Sequence, residues 1–220
     1  DLTTPVPRDR WGLPPSSLRT TADEAAQDRT WCERGGYVQG FEACFDAEGF
    51  AIPAAQVAAL DPLVQWLLHA GREALVGVAD RRRAGAVIGN LSFPSSSMAR
   101  FAERQWLGDT PAHAADLAPT SAGNRFMSGL PPPLVAQGLG GPAFCLDAAC
   151  ASSLVALKLA CDRLHDREAD VMLAGAVCRA DDLFIHVGFC ALSAMSRSGR
   201  SRPFHRLTSS PKRARNHQRR

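Results

Sequence analysis

The chain has 220 residues, 45% of them hydrophobic and 21% charged, enough for one large domain or two small ones at ~150 residues each. Its composition lacks the polarity of a disordered chain, the glycine period of collagen and the heptads of a coiled coil, which leaves a soluble globular protein. The formal net charge of +3 hides an asymmetry: nine basic residues and no acidic one follow Asp182, so residues 1–196 carry 16 basic and 22 acidic side chains.

Residues 1–30 are rich in Pro, Thr, Ser and charge without a period, and read as an extended arm on a body or a linker. From Pro53 to Val78, apolar residues recur at Val57, Leu60, Val64, Leu67, Leu68 and Leu75. That spacing predicts one helix, or two broken at Asp61-Pro62, where Asp caps and Pro fits the first turn. Ala84–Asn90 reads as a strand and turn, Met98–Leu107 as a helix and Gly108–Thr120 as a loop. Ala122–Leu139 is helical at both ends, but Pro131, Pro132 and Pro133 allow only two short pieces or a bent one.

Ala143–Ala149 and Ala169–Val177 are short and apolar, as buried parallel strands are. Between them Cys150–Asp166 is a helix with apolar residues on nearly all sides. Together they predict a right-handed βαβ unit whose crossover helix is buried on both faces, hence a multilayer α/β architecture. Another apolar helical stretch is expected between Asp181 and His205, and disorder from Arg206 to Arg220. Phe126–Leu146 is uncharged for 21 residues, but eight are Gly or Pro, which excludes a membrane span. There is no basic start followed by an apolar run, so no signal peptide is visible and a cytoplasmic location is expected. A first residue of Asp instead of Met points to a processed chain or an excerpt.

The seven cysteines include no Cys-x-x-Cys pair and sit mostly in apolar surroundings, so neither a disulfide framework nor a zinc cluster is expected. Cys150 stands apart, because it falls at the strand-to-helix junction among Ala148, Ala149, Ala151, Ser152 and Ser153. A nucleophile on such a turn is exposed at the carboxyl edge of the sheet, where α/β proteins form their crevices. Unpaired N–H groups at the helix start favour a thiolate and then an oxyanion on a bound acyl carbonyl. Cys150 is therefore the candidate acyl-accepting nucleophile, against the plainer alternative of one more buried small residue.

The segment DAACASSLVALKLA resembles the active-site segment of β-ketoacyl synthases, the condensing enzymes of fatty acid and polyketide synthesis. RGGYVQGFEACFDAEGFAIP, ALDPLVQWLLHAGREAL, GAVIGNLSFP, NRFMSGL, ADVMLAGAV and GFCALSAMSRSGRSRPF are similar to further segments of that family, in its order. The wording GNLSFP and CRADDLFIHVGF is more similar to ketosynthases of multienzyme polyunsaturated fatty acid or polyketide synthases than to stand-alone bacterial ones. The resemblance implies a thiolase-like fold of five alternating helix and sheet layers, usually homodimeric, with strands near the nucleophile at the dimer interface. It also implies that an acyl carrier protein delivers an acyl group to Cys150. A malonyl-carrier unit then loses carbon dioxide, and its carbanion attacks the thioester to give a 3-oxoacyl chain. The Cys150 N–H forms half of the oxyanion hole, and no metal or redox cofactor is required.

Such enzymes also need two histidines, in His-Gly-Thr-Gly and Gly-His segments, and a supporting lysine. Neither histidine segment occurs here, so His69, His113, His165, His186, His205 and His217 read as structural or solvated. After Ser-Arg-Pro-Phe-His the family's acidic, Gly-rich continuation gives way to RLTSSPKRARNHQRR, which reads as a premature end or frame slip. A basic arm for nucleic acid is disfavoured, since no aromatic residue follows Phe204. The expected organisation is an arm at 1–30, the N-terminal part of a β-ketoacyl synthase domain at 31–205 and a basic tail at 206–220. Two further readings compete with a condensing enzyme: an inactive remnant or interaction fragment, and a cysteine-dependent acyltransferase or hydrolase of another fold.

Overall fold

The computed structural model describes residues 4–7, 11, 18–21, 29–90, 137–178, 183–197 and 200. In chain order its elements are β1 (Thr4–Pro5), β2 (Arg34–Gly35), α1 (Ala54–Ala58), α2 (Pro62–Ala74), β3 (Ala84–Gly89), β4 (Ala143–Leu146), α3 (Ser152–His165), β5 (Val171–Ala176) and α4 (Leu183–Ala191). Short 3-10 turns occupy Phe41–Ala43 and Ala149–Ala151. The helices expected at 98–107 and within 122–136, and the tail at 206–220, lie outside the described residues.

The sheet is parallel, in the order β4-β3-β5, and β3 is buried along its whole length. Alternation along β3 sends its side chains to two different layers. Ala84, Ala86 and Ile88 pack with Val57, Leu63, Val64, Leu67, Leu68 and Leu75 of the α1–α2 region. Val87 packs on the other side with Ala156 and Ala160 of α3, flanked by Phe144, Leu146, Met172 and Ala174. The result is helix, sheet and helix in three layers, an α/β arrangement.

Of the two arrangements open for residues 53–78, the broken one is found. Asp61 accepts the Leu63 N–H at 2.9 Å and Pro62 opens α2, so the dipeptide ends one helix and caps the next. The βαβ reading holds for the direction of the strands, but β4 and β5 are not neighbours, because β3 lies between them. Two-sided burial of α3 does not hold. Only Ser152, Ala156 and Ala160 are buried, while Leu154 is 71% and Leu157 55% exposed. Among the described residues nothing covers that outer face.

Part of the arm lies against the body. β1 pairs antiparallel with β2, and Trp11 and Leu18 form a satellite core with Leu183 and Val187 of α4. Two residues of α4 tie the neighbouring segment down by polar bonds: Thr30 Oγ1 lies 3.4 Å from Cys190 Sγ, and His186 reaches Cys32 and Tyr37.

Candidate active site

Parallel strands place all their carboxyl ends on one edge, and the link from β4 to α3 lies on that edge. β4 stops at Leu146, three residues earlier than the apolar run suggests, and Asp147 to Ala151 make a compact corner before α3. Ala149 has φ +49°, a left-handed conformation that costs a residue with a Cβ roughly 1–2 kcal/mol. Two backbone bonds, Ala151 N–H to the Ala148 carbonyl and Ser152 N–H to the Ala149 carbonyl, and three side-chain bonds bracket it. The Ala149 N–H donates to Asp147 Oδ1 at 2.9 Å, the Ala148 N–H donates to Ser152 Oγ at 2.9 Å, and Ser152 Oγ donates to the Ala149 carbonyl at 2.7 Å.

Cys150 follows this strained residue and is exposed. Among the described residues its backbone N–H has no hydrogen-bond acceptor, and no histidine reaches it. A thiol beside an unpaired N–H at a helix start is a chemically competent pair: the sulfur attacks a carbonyl carbon and the N–H receives the developing oxyanion. Five residues earlier, Cys145 is the opposite case. Burial within the sheet pushes its thiol up to about 12, so it stays protonated and inert near neutral pH. Cys44, Cys161 and Cys178 are exposed like Cys150, whereas Cys32 and Cys190 are buried.

The described histidines take other places. His69, on α2, has Nε2 3.4 Å from Glu73 Oε1 and sits edge-on to Phe41. His165 ends α3, and His186 is buried in α4 at 4% exposure. No group of three or more His, Cys, Asp or Glu side chains among the described residues can hold a metal ion. No helix among them is long and apolar enough to cross a membrane.

An open cavity of about 740 Å³ lies at the other end of the sheet, where Phe50, Arg72, Arg81 and Gln137 meet near the start of β3. Arg81 donates there to the carbonyls of Val78, Leu75 and Gln137 and holds those loops together. That cavity is a structural joint, remote from the Cys150 edge.

Sequence reasoning put Cys150 at a strand-to-helix corner, where the structure has it, and missed the bonds of Asp147 and Ser152 and the close approach of Gly89 at that corner. A Cβ on Gly89 would stand 2.7 Å from Ser152 Cβ, so the end of β3 touches the start of α3 without a side chain between them. The available signal was the Asp-x-x-Cys-x-Ser spacing beside Gly-Asn at the end of the preceding strand. Asn90 was also missed: it is 5% exposed, and its Oδ1 has no hydrogen-bond partner among the described residues.

A family model described as "Beta-ketoacyl synthase, N-terminal domain" matches residues 1–208. The chain is 32% identical over 212 residues to the PKS-NRPS hybrid synthetase acdB of Aspergillus candidus, covering 93% of this chain and 8% of that protein. It is 32% identical over 211 residues to the phthioceranic/hydroxyphthioceranic acid synthase of Mycobacterium tuberculosis, covering 93% of this chain and 9% of that synthase. Among solved structures, the oxazolomycin ketosynthase domain of Streptomyces albus superposes with a TM-score of 0.66 at 23% identity, over 91% of this chain and 34% of that one. The ketosynthase from module 6 of the bacillaene synthase of Bacillus subtilis gives 0.57 at 19% identity, over 89% and 30%. The fold is thus the thiolase-like one of ketosynthase domains, and the chain spans less than a tenth of these two curated relatives and about a third of the solved ketosynthases.

Proposed function

The chain belongs to the β-ketoacyl synthase family, in its N-terminal domain, and from that membership we propose that Cys150 accepts an acyl chain from an acyl carrier protein. In this step the Cys150 sulfur bonds to the carbonyl carbon of the carrier thioester. The carrier's sulfur–carbon bond breaks, and the thiol proton leaves with the freed carrier thiol. The Cys150 N–H supports the oxyanion formed on the way. The observation that carries the reading is the exposed thiol with its unpaired N–H, held on a strained corner at the carboxyl edge of the sheet.

The second half of the reaction is a decarboxylative condensation. A malonyl-carrier unit releases carbon dioxide, and its carbanion displaces Cys150 from the thioester to form a 3-oxoacyl chain. The histidine segments that the family uses for this step are absent from these residues, and positioning one nucleophile supplies only part of such catalysis. On this reading residues 31–205 load the acyl group, and condensation depends on groups from outside the chain. The exposed apolar face of α3 and the outer edge of β4, unpaired among the described residues, favour such a companion or a second copy.

The experiment mixes the chain with an acyl-carrier thioester and a malonyl-carrier unit. The expected result is one acyl mass on Cys150, lost in Cys150→Ala, and no 3-oxoacyl product. An acyl mass that survives Cys150→Ala contradicts the acceptor assignment. Product formed by this chain alone contradicts the dependence on outside groups.

A further inference from the structure

We propose that Ser152 is a positioning residue for acyl transfer at Cys150, holding Ala149 in the left-handed conformation that leaves the Cys150 N–H free to meet the substrate's carbonyl oxygen. The proposal rests on the reading of Cys150 as the acyl acceptor and adds a residue to it. The directions of both Ser152 bonds are fixed by chemistry, since an amide N–H only donates and a carbonyl only accepts. The hydroxyl accepts from Ala148 N–H and donates to Ala149 C=O, so one oxygen ties the peptide unit that follows the strained residue to the amide of the residue before it. An alanine at 152 makes neither of these side-chain bonds and keeps only the backbone bond from its N–H to the Ala149 carbonyl.

Two neighbours close the clasp. Asp147 Oδ1 takes the Ala149 N–H, and the Ala151 N–H donates to the Ala148 carbonyl, so the peptide unit that precedes Ala149 is also held against relaxation to an ordinary right-handed φ. From the sheet, Gly89 lies so near that any Cβ would stand 2.7 Å from Ser152 Cβ and 2.8 Å from its carbonyl carbon and oxygen. Ser152 cannot move toward the sheet, and its hydroxyl has its proton and an acceptor lone pair already in use. At 6% exposure it has no route to substrate. Its contribution is geometry, delivered through Cys150.

Two reagents separate orientation from exposure. Iodoacetamide alkylates an accessible thiol by displacement and needs no oxyanion donor, whereas attack on a thioester carbonyl does. The full chain and its Ser152→Ala variant are treated with the octanoyl thioester of N-acetylcysteamine or with iodoacetamide, and modification of Cys150 is followed by peptide mass spectrometry. Cys161, exposed on α3, is the internal reference. In Ser152→Ala the acylation rate at saturating thioester falls about 10–100-fold, with KM unchanged, as misplaced reacting groups do. The ratio of Cys150 to Cys161 alkylation stays at the wild-type value.

Asp147 is exposed, so its variants keep the test alive if Ser152→Ala does not fold. Asp147→Ala lowers acylation in the same sense, and Asp147→Asn, which keeps an acceptor oxygen, retains the wild-type rate. Acylation and alkylation falling together, or acylation unchanged in both alanine variants, overturns the positioning role while leaving Cys150 as acceptor. A wild-type chain that takes no acyl group on Cys150 removes the acceptor reading, and the role of Ser152 with it.

Discussion

His186 shows how much a single buried side chain does in this chain. Its Nδ1 lies 3.2 Å from the Cys32 carbonyl, which can only accept, so Nδ1 carries the proton and Nε2 accepts from the Tyr37 hydroxyl, also at 3.2 Å. Trp11 stands edge-on at 5.3 Å and Tyr37 stacks parallel, so the neutral ring is satisfied and enclosed. Burial holds its pKa below the ordinary 6.5, partly opposed by the Cys32 carbonyl. The unfolded chain therefore binds the proton first, and stability is complete above the ordinary value and declines as pH falls through it toward the lowered one. The melting temperature should fall as pH drops through the ordinary 6.5, and this part of the slope should vanish in His186→Phe. That variant also removes one of the two donors to the Cys32 carbonyl, which keeps the Thr30 hydroxyl at 2.9 Å, and losing that hydrogen bond costs about 0.5–1.5 kcal/mol. An unchanged pH slope in His186→Phe would show that other groups set it. None of this was legible in the sequence, because Tyr37 is 149 residues away and a histidine without a motif carries no mark of burial. Cys150 was legible, since small residues at a strand-to-helix junction signal a corner. Ser152 was not, since its bonds depend on a left-handed φ that an alanine does nothing to announce.

Helices α2 and α3 differ in how their apolar faces are used. α2 puts Leu63, Val64, Leu67 and Leu68 against β3, and Leu68 is wholly buried. Leu68→Ala should cost about 2–5 kcal/mol in urea unfolding, and a loss far below that would mean the layer repacks freely. Asp61→Ala should cost about 0.5–2 kcal/mol through the lost cap on Leu63. α3 instead offers the sheet its small residues, Ala156 and Ala160, and turns Leu154, Leu157, Cys161 and Leu164 outward. Those four recur every three or four residues and form one stripe along the helix. The sequence made the stripe legible as a face that calls for burial, but periodicity does not say what buries it. Leu154→Gln with Leu157→Gln should change the stability of this chain by no more than about 0.5 kcal/mol per site and reduce its binding of a hydrophobic dye. A large destabilisation would mean that the stripe is already covered.

At the scale of the whole molecule, the parallel sheet gathers its strand ends on one edge, and the corner after β4 presents a thiol there. The fold class was legible because short apolar runs flanking an apolar helix have few packings other than layers. The strand order was not, since only pairing across the sheet reveals that β3 separates β4 from β5. The central claim concerns one thiol among seven, and exposure alone does not single it out, because Cys44, Cys161 and Cys178 are exposed as well. The most direct measurement treats the native chain with a limiting amount of acyl thioester and maps the acyl mass over all seven cysteine peptides. Acylation concentrated on Cys150, with Cys44, Cys161 and Cys178 nearly unmodified, is the predicted result. Acyl groups spread evenly over the four exposed thiols would contradict it.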